Sequence, residues 1–68
     1  MKLSARNVLK GEVVGIVTGA VTSHVKIDVG GTMVTAAITN EAVAELGLKQ
    51  GGAAYAVIKA SDVMVGVD

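Results

Sequence analysis

The chain has no cysteine, no proline, no tryptophan and no phenylalanine, and its only histidine and tyrosine are His24 and Tyr55. Each absence removes a class of architecture or chemistry. Without cysteine there are no disulfides and no thiolate metal sites, and one histidine cannot build a histidine cluster within a single chain. With a single aromatic side chain there is no stacking platform for single-stranded nucleic acid. Six basic residues balance six acidic ones, so no net charge draws a polyanion. No apolar run nears the ~20 residues of a membrane span, and the opening MKLSARN lacks the apolar stretch of a signal peptide. A soluble cytoplasmic protein is the expectation.

What is present is small and apolar. Sixty-eight residues make one domain, residues 1–68. A chain of this length buries only about 60% of its unfolded surface, and folds of this size usually need a disulfide, a metal or a partner subunit. Cysteine and histidine usage remove the first two. The apolar share is 51%, carried by Val, Ala, Ile, Leu and Met, more than one small core would normally bury. Surplus apolar surface marks an interface, so a homo-oligomer is expected.

Five segments read as strands and one as a short helix. In VTSHVKIDV, Val21 to Val29, the residues Val21, Val25, Ile27 and Val29 share one face, with Ser23 as the exception. Thr22, His24, Lys26 and Asp28 share the other. This period of two is a strand signal. Gly30-Gly31 is a two-residue hairpin loop, after which TMVTAAIT, Thr32 to Thr39, returns antiparallel. The first segment, NVLKGEVVGIV, is β-branched but interrupted by Gly11 and Gly15, which predict a bulge or bend. NEAVAELG, Asn40 to Gly47, is the helix, with Thr39 or Asn40 as cap and Gly47 as the left-handed stop. AAYAVIK and VMVGV supply the last two strands. Three strands, a helix and two strands is the order of an OB-fold-like five-stranded barrel; a swapped or open β-sheet dimer is the alternative.

Catalytic constellations are missing. Ser4, Ser23 and Ser61 are the serines, but His24 lies on the polar face of a strand, with nothing to bring a serine to it as a triad requires. It reads as a solvated strand histidine, with a ligand role across a subunit interface as the second reading. Glu41 and Glu45 sit four apart on a helix, as a solvated face does. No phosphate-loop or dinucleotide fingerprint occurs. Two donor clusters remain: Ser4-Ala5-Arg6-Asn7 at the start, and Lys59-Ala60-Ser61 at the exit of the fourth strand. Each joins a cation to short polar side chains in irregular backbone, whose N–H groups can form an anion-binding concavity. The plainer reading makes them surface cations and turn formers.

Four stretches in order, SARNVLKG, GAVTSHV, ITNEAVAELGLKQG and VIKASDVMV, make the whole chain resemble the molbindins, the small molybdate-binding Mop proteins. The resemblance implies an OB-like barrel that exchanges strands between subunits and assembles as a trimer of dimers, a homohexamer. It implies molybdate or tungstate held in pockets between subunits, for storage rather than catalysis. By resemblance, Ser4, Arg6, Lys59 and Ser61 bind by side chain, Ala5 and Ala60 mainly by backbone N–H, and Asn7 as a lesser member. Thr39, at the helix entry, is a further candidate donor. A second oxyanion site is placed at Val21, Thr22 and Ser23.

The chemistry suits those residues. Molybdate and tungstate are tetrahedral dianions that only accept hydrogen bonds, so a pocket of donors fits them, and Arg6 with Lys59 matches their charge. Phosphate keeps a proton part of the time, and that proton, facing only donors, is left unsatisfied at a cost of about 1–3 kcal/mol. Two other uses of such a chain are an anion-sensing adaptor that signals to a protein partner and an OB-fold nucleic-acid binder. The adaptor needs a second domain, for which 68 residues leave no room, and the nucleic-acid binder needs aromatics and basic charge.

Overall fold

The computed structural model describes all 68 residues. Four strands and one helix form: β1 (Asn7–Thr18), β2 (Thr22–Asp28), β3 (Met33–Thr39), α1 (Asn40–Leu46) and β4 (Ala53–Ile58), followed by a 3-10 turn at Ala60–Asp62. The strands make one antiparallel sheet in the order β3-β2-β1-β4.

β1 is long because it serves two partners. Its first half pairs with β4, from Asn7↔Ile58 to Glu12↔Ala53. Its second half pairs with β2, out to Thr18↔Ser23, with a register shift between Val13 and Gly15. The bulge falls beside the glycine that predicted it, and a bulge bends its strand. Gly11 answers a different need. A Cβ there would collide with the Asp28 carbonyl oxygen and come within 2.8 Å of Ile27 Cγ2.

The β2–β3 hairpin closes where expected. Val29 N–H donates to Thr32 O at 2.8 Å, and Gly31 N–H donates to Asp28 Oδ1 at 2.7 Å. Gly30 and Gly31 both take positive φ, 79° and 96°, which side chains with a Cβ adopt poorly. Thr39 is the helix cap, its Oγ1 accepting from Ala42 N–H at 3.0 Å, and Gly47 is the left-handed stop.

Val13, Val25, Ile27 and Ala56 form the buried core, joined by the polar Ser23. Only these 5 of 68 residues are buried, while fourteen large hydrophobics are exposed. The alternation of β2 is as read, with Ser23, Val25 and Ile27 inward and Thr22, His24 and Lys26 outward. Val21 departs from it: it sits in the turn before β2 and is 70% exposed.

The strand count also differs from the sequence reading. VMVGV, expected as a fifth strand, pairs with nothing in the chain, and Met64, Val65 and Val67 are all more than 90% exposed. Alternating apolar residues make a segment strand-competent, but a strand exists only against an edge that accepts it. β3 and β4 are the two outer strands and do not pair with each other, so the curled sheet stays open. Its concave face is an apolar cleft of about 670 Å³ that includes Val34, Ile38, Leu48, Ala54 and Ala56. No helix is long and apolar enough to cross a membrane.

Candidate functional site

The β1–β4 ladder decides which polar segments meet. Because the strands are antiparallel and in register at Asn7↔Ile58, the residues entering β1 and those leaving β4 lie side by side. Ser4, Ala5 and Arg6 precede Asn7; Lys59, Ala60 and Ser61 follow Ile58. Two clusters more than fifty residues apart in sequence thus share one end of the sheet. Asn7 fastens the junction, its Nδ2 donating to Ile58 O at 3.2 Å.

The backbone there is rich in unused donors. Lys59 is extended (φ −64°, ψ 140°) and starts the 3-10 turn, whose bonds run from Asp62 N–H to Lys59 O (2.9 Å) and from Val63 N–H to Ala60 O (3.3 Å). A helical turn leaves its first N–H groups without partners, here those of Ala60 and Ser61. Nor do the N–H groups of Ser4, Ala5, Arg6 and Lys59 donate to any backbone acceptor in the chain. The chain's five side-chain hydrogen bonds engage none of Ser4, Arg6, Lys59 and Ser61. All four are exposed, while Ala5 and Asn7 are half-buried. Asp62, directly after Ser61, is the carboxylate nearest in sequence.

Thr39 does not join this group within the chain. It pairs with Thr22 across β2–β3, at the end of the sheet where β1 finishes with Thr18 opposite Ser23. β1 is 12 residues long, and at about 3.3 Å per residue it is comparable in length to the molecule's longest dimension of 34 Å. Within one chain, therefore, Thr39 stands with Val21, Thr22 and Ser23.

That second group is built around Asn40. Ser23 Oγ–H donates to Asn40 Oδ1, Asn40 Nδ2 donates to Gly19 O at 2.9 Å, and Asn40 N–H donates to Val21 O at 2.8 Å. Gly19 N–H donates to Thr22 O at 2.8 Å. Ser23 is 1% exposed and its one hydroxyl proton is already given. The Val21 N–H has no backbone acceptor, and the exposed Thr22 hydroxyl makes no side-chain bond. Sequence reading took Asn40 only as a possible cap; its role as a hub shows in the tertiary contacts alone.

His24 is exposed, with Val17 and Ala37 as its cross-strand partners. Ser23, its neighbour in sequence, points to the opposite face. No group of three or more His, Cys, Asp or Glu lies together that could hold a metal ion.

Residues 3–65 match the family model described as the TOBE domain. The chain belongs to the TOBE-domain family. This TOBE domain is 52% identical to the probable molybdenum-pterin-binding protein of Haemophilus influenzae, over the full length of both chains. Such a relative also makes plain the molbindin (Mop) membership that the four sequence stretches pointed to. Among solved structures, a molybdate-binding protein from Sporomusa ovata superimposes with a TM-score of 0.93 at 40% identity, covering 98% of this TOBE domain and all of that chain. The cytoplasmic molybdate-binding protein ModG, solved with molybdate bound, superimposes with a TM-score of 0.95 at 56% identity. The match takes in all of this TOBE domain and 49% of the ModG chain, so the domain spans about half of ModG's length.

Proposed function

We propose that this chain, acting as a single domain over residues 1–68, is a cytoplasmic binding and storage protein for molybdate or tungstate, without catalysis. Its ligands are the side chains of Ser4, Arg6, Lys59 and Ser61 and the N–H groups of Ala5 and Ala60, with Asn7 beside them. The observation that supports this reading is the Asn7↔Ile58 register, which sets two cations, two hydroxyls and a run of unbonded N–H groups at one end of the sheet. The relatives' molybdate names point to the same class of ligand. A doubly charged acceptor with no proton suits a cluster composed of donors.

The site is completed between subunits in this reading. In one chain the donors are open to water, which weakens every electrostatic contact. Four further features favour assembly: two unpaired sheet edges, an apolar cleft, an unpaired apolar tail at residues 63–67, and a buried core of four hydrophobic residues. A tail exchanged with a neighbouring copy closes the barrel, and a trimer of such dimers makes the hexamer. Val21, Thr22 and Thr39 form the second, smaller anion site, with Ser23 holding its backbone in place.

Calorimetric titration with molybdate, tungstate, sulfate and phosphate, alongside a native mass measurement, tests the proposal. Tight binding of the first two to a hexamer is the expected result. Equal binding of all four, or a monomer that binds unaided, overturns it.

A further inference from the structure

Asn7 commits a side-chain proton to a backbone carbonyl, its Nδ2 donating to Ile58 O at 3.2 Å across 51 residues of chain. The same residue also faces the Asn7 main chain. Ladder bonds alternate along an antiparallel pair, and Val13 N–H donates to Gly52 O at 2.9 Å. Carried down the register, that alternation puts the bonded rungs of β1 with β4 at Gly11, Leu9 and Asn7. A carbonyl oxygen has two lone pairs. Ile58 O accepts from the Asn7 carboxamide, and the Asn7↔Ile58 register sets the Asn7 main-chain N–H opposite the same residue. It is the last carbonyl of β4, one peptide before Lys59 and the run of free donors. Uncapped, it would be an acceptor beside a cluster of donors.

We infer that Asn7 is a specificity-determining residue of the oxyanion site: by engaging the Ile58 carbonyl it withholds the main-chain acceptor next to the donor cluster, which a protonated oxyanion would otherwise use. The inference rests on the donor-cluster reading proposed above. Asn7 acts through Ile58 and is a positioning residue rather than a primary ligand. Phosphate carries a proton that must be given to something, and a free carbonyl lone pair takes it. Molybdate, tungstate and sulfate have no proton to give. To them the same lone pair is only a repulsive negative charge. Capping the carbonyl therefore separates anions by protonation, a distinction that pocket size alone does not make.

The test is a competition titration of molybdate, sulfate and phosphate against the wild-type protein, Asn7→Ala and the near-isosteric Asn7→Leu. It is run at a pH below and a pH above the second ionisation of phosphate, with circular dichroism on each variant and Arg6→Ala as the reference. The preference for molybdate over phosphate should fall about tenfold in both Asn7 variants, the factor set by one hydrogen bond of ordinary strength. The fall should be larger at the lower pH, and the preference for molybdate over sulfate should not move. A common loss for all three anions assigns Asn7 a purely structural role and overturns the inference, as does an unchanged preference. If Arg6→Ala leaves molybdate affinity intact, the site reading itself fails. A weakened Arg6→Ala beside unchanged preferences in the Asn7 variants sinks the Asn7 role alone.

Discussion

Ser23 gives its hydroxyl proton to the Oδ1 of Asn40, and through that bond β2 is fastened to the first residue of α1. The pair lies 17 residues apart in sequence and accounts for the one polar side chain in the buried core. It explains why a serine interrupts the apolar face of β2. Inward burial there is compatible with a hydroxyl because the hydroxyl is satisfied.

Asn40→Ala should therefore destabilise the fold more than Ser23→Ala. Ser23→Ala leaves one acceptor on Asn40 without its donor. Asn40→Ala strips a partner from the buried Ser23 hydroxyl and from the Gly19 carbonyl together. The Ser23 hydroxyl is buried, so leaving it unpaired costs about 1–3 kcal/mol, while the exposed Gly19 carbonyl can turn to water. The difference is measurable by urea unfolding followed by circular dichroism. Equal losses in the two variants would contradict the hub.

Arg6→Ala and Lys59→Ala should each weaken molybdate binding about tenfold or more, the worth of a charge-assisted hydrogen bond. Both side chains are exposed and free of hydrogen bonds within the chain, so unfolding midpoints should stay near wild type. Calorimetry and thermal melts read the two effects separately.

Thr39→Ala should cost about 1 kcal/mol of stability through the lost helix cap, since Oγ1 accepts from Ala42 N–H. Titration at the Arg6–Lys59 site should be unaffected, because Thr39 lies at the other end of β1. A selective loss of molybdate affinity at that site would show that assembly brings Thr39 back to it.

Truncation after Asp62 should remove assembly. The deleted segment carries Val63, Met64, Val65 and Val67, none of which has a strand partner within the chain. Native mass spectrometry should then report smaller species than the full-length protein, with lower molybdate affinity in parallel. A truncated chain that still assembles and binds would remove the exchanged tail from the reading.

Molybdate should raise the melting temperature of the full-length protein with the logarithm of its excess over Kd. Ligand confined to the folded assembly adds about 2.7 kcal/mol at a hundredfold excess. Phosphate at the same concentration should leave the melting curve in place.

The local elements are legible along the chain. Alternation drew β2, Gly30-Gly31 drew the hairpin, Gly15 marked the bulge, and Thr39 and Gly47 bounded the helix. Each is set by neighbours within a few residues, through side-chain period and backbone dihedral preference, so each can be read along the chain. The two donor clusters were visible for the same reason. Tertiary structure alone decided what depends on pairing between distant segments: that Asn7 faces Ile58, that Thr39 stands with Thr22, that the Ser23 proton is committed to Asn40, and that residues 63–68 find no edge. Register and edge availability are properties of two strands at once, and no single stretch of sequence carries them.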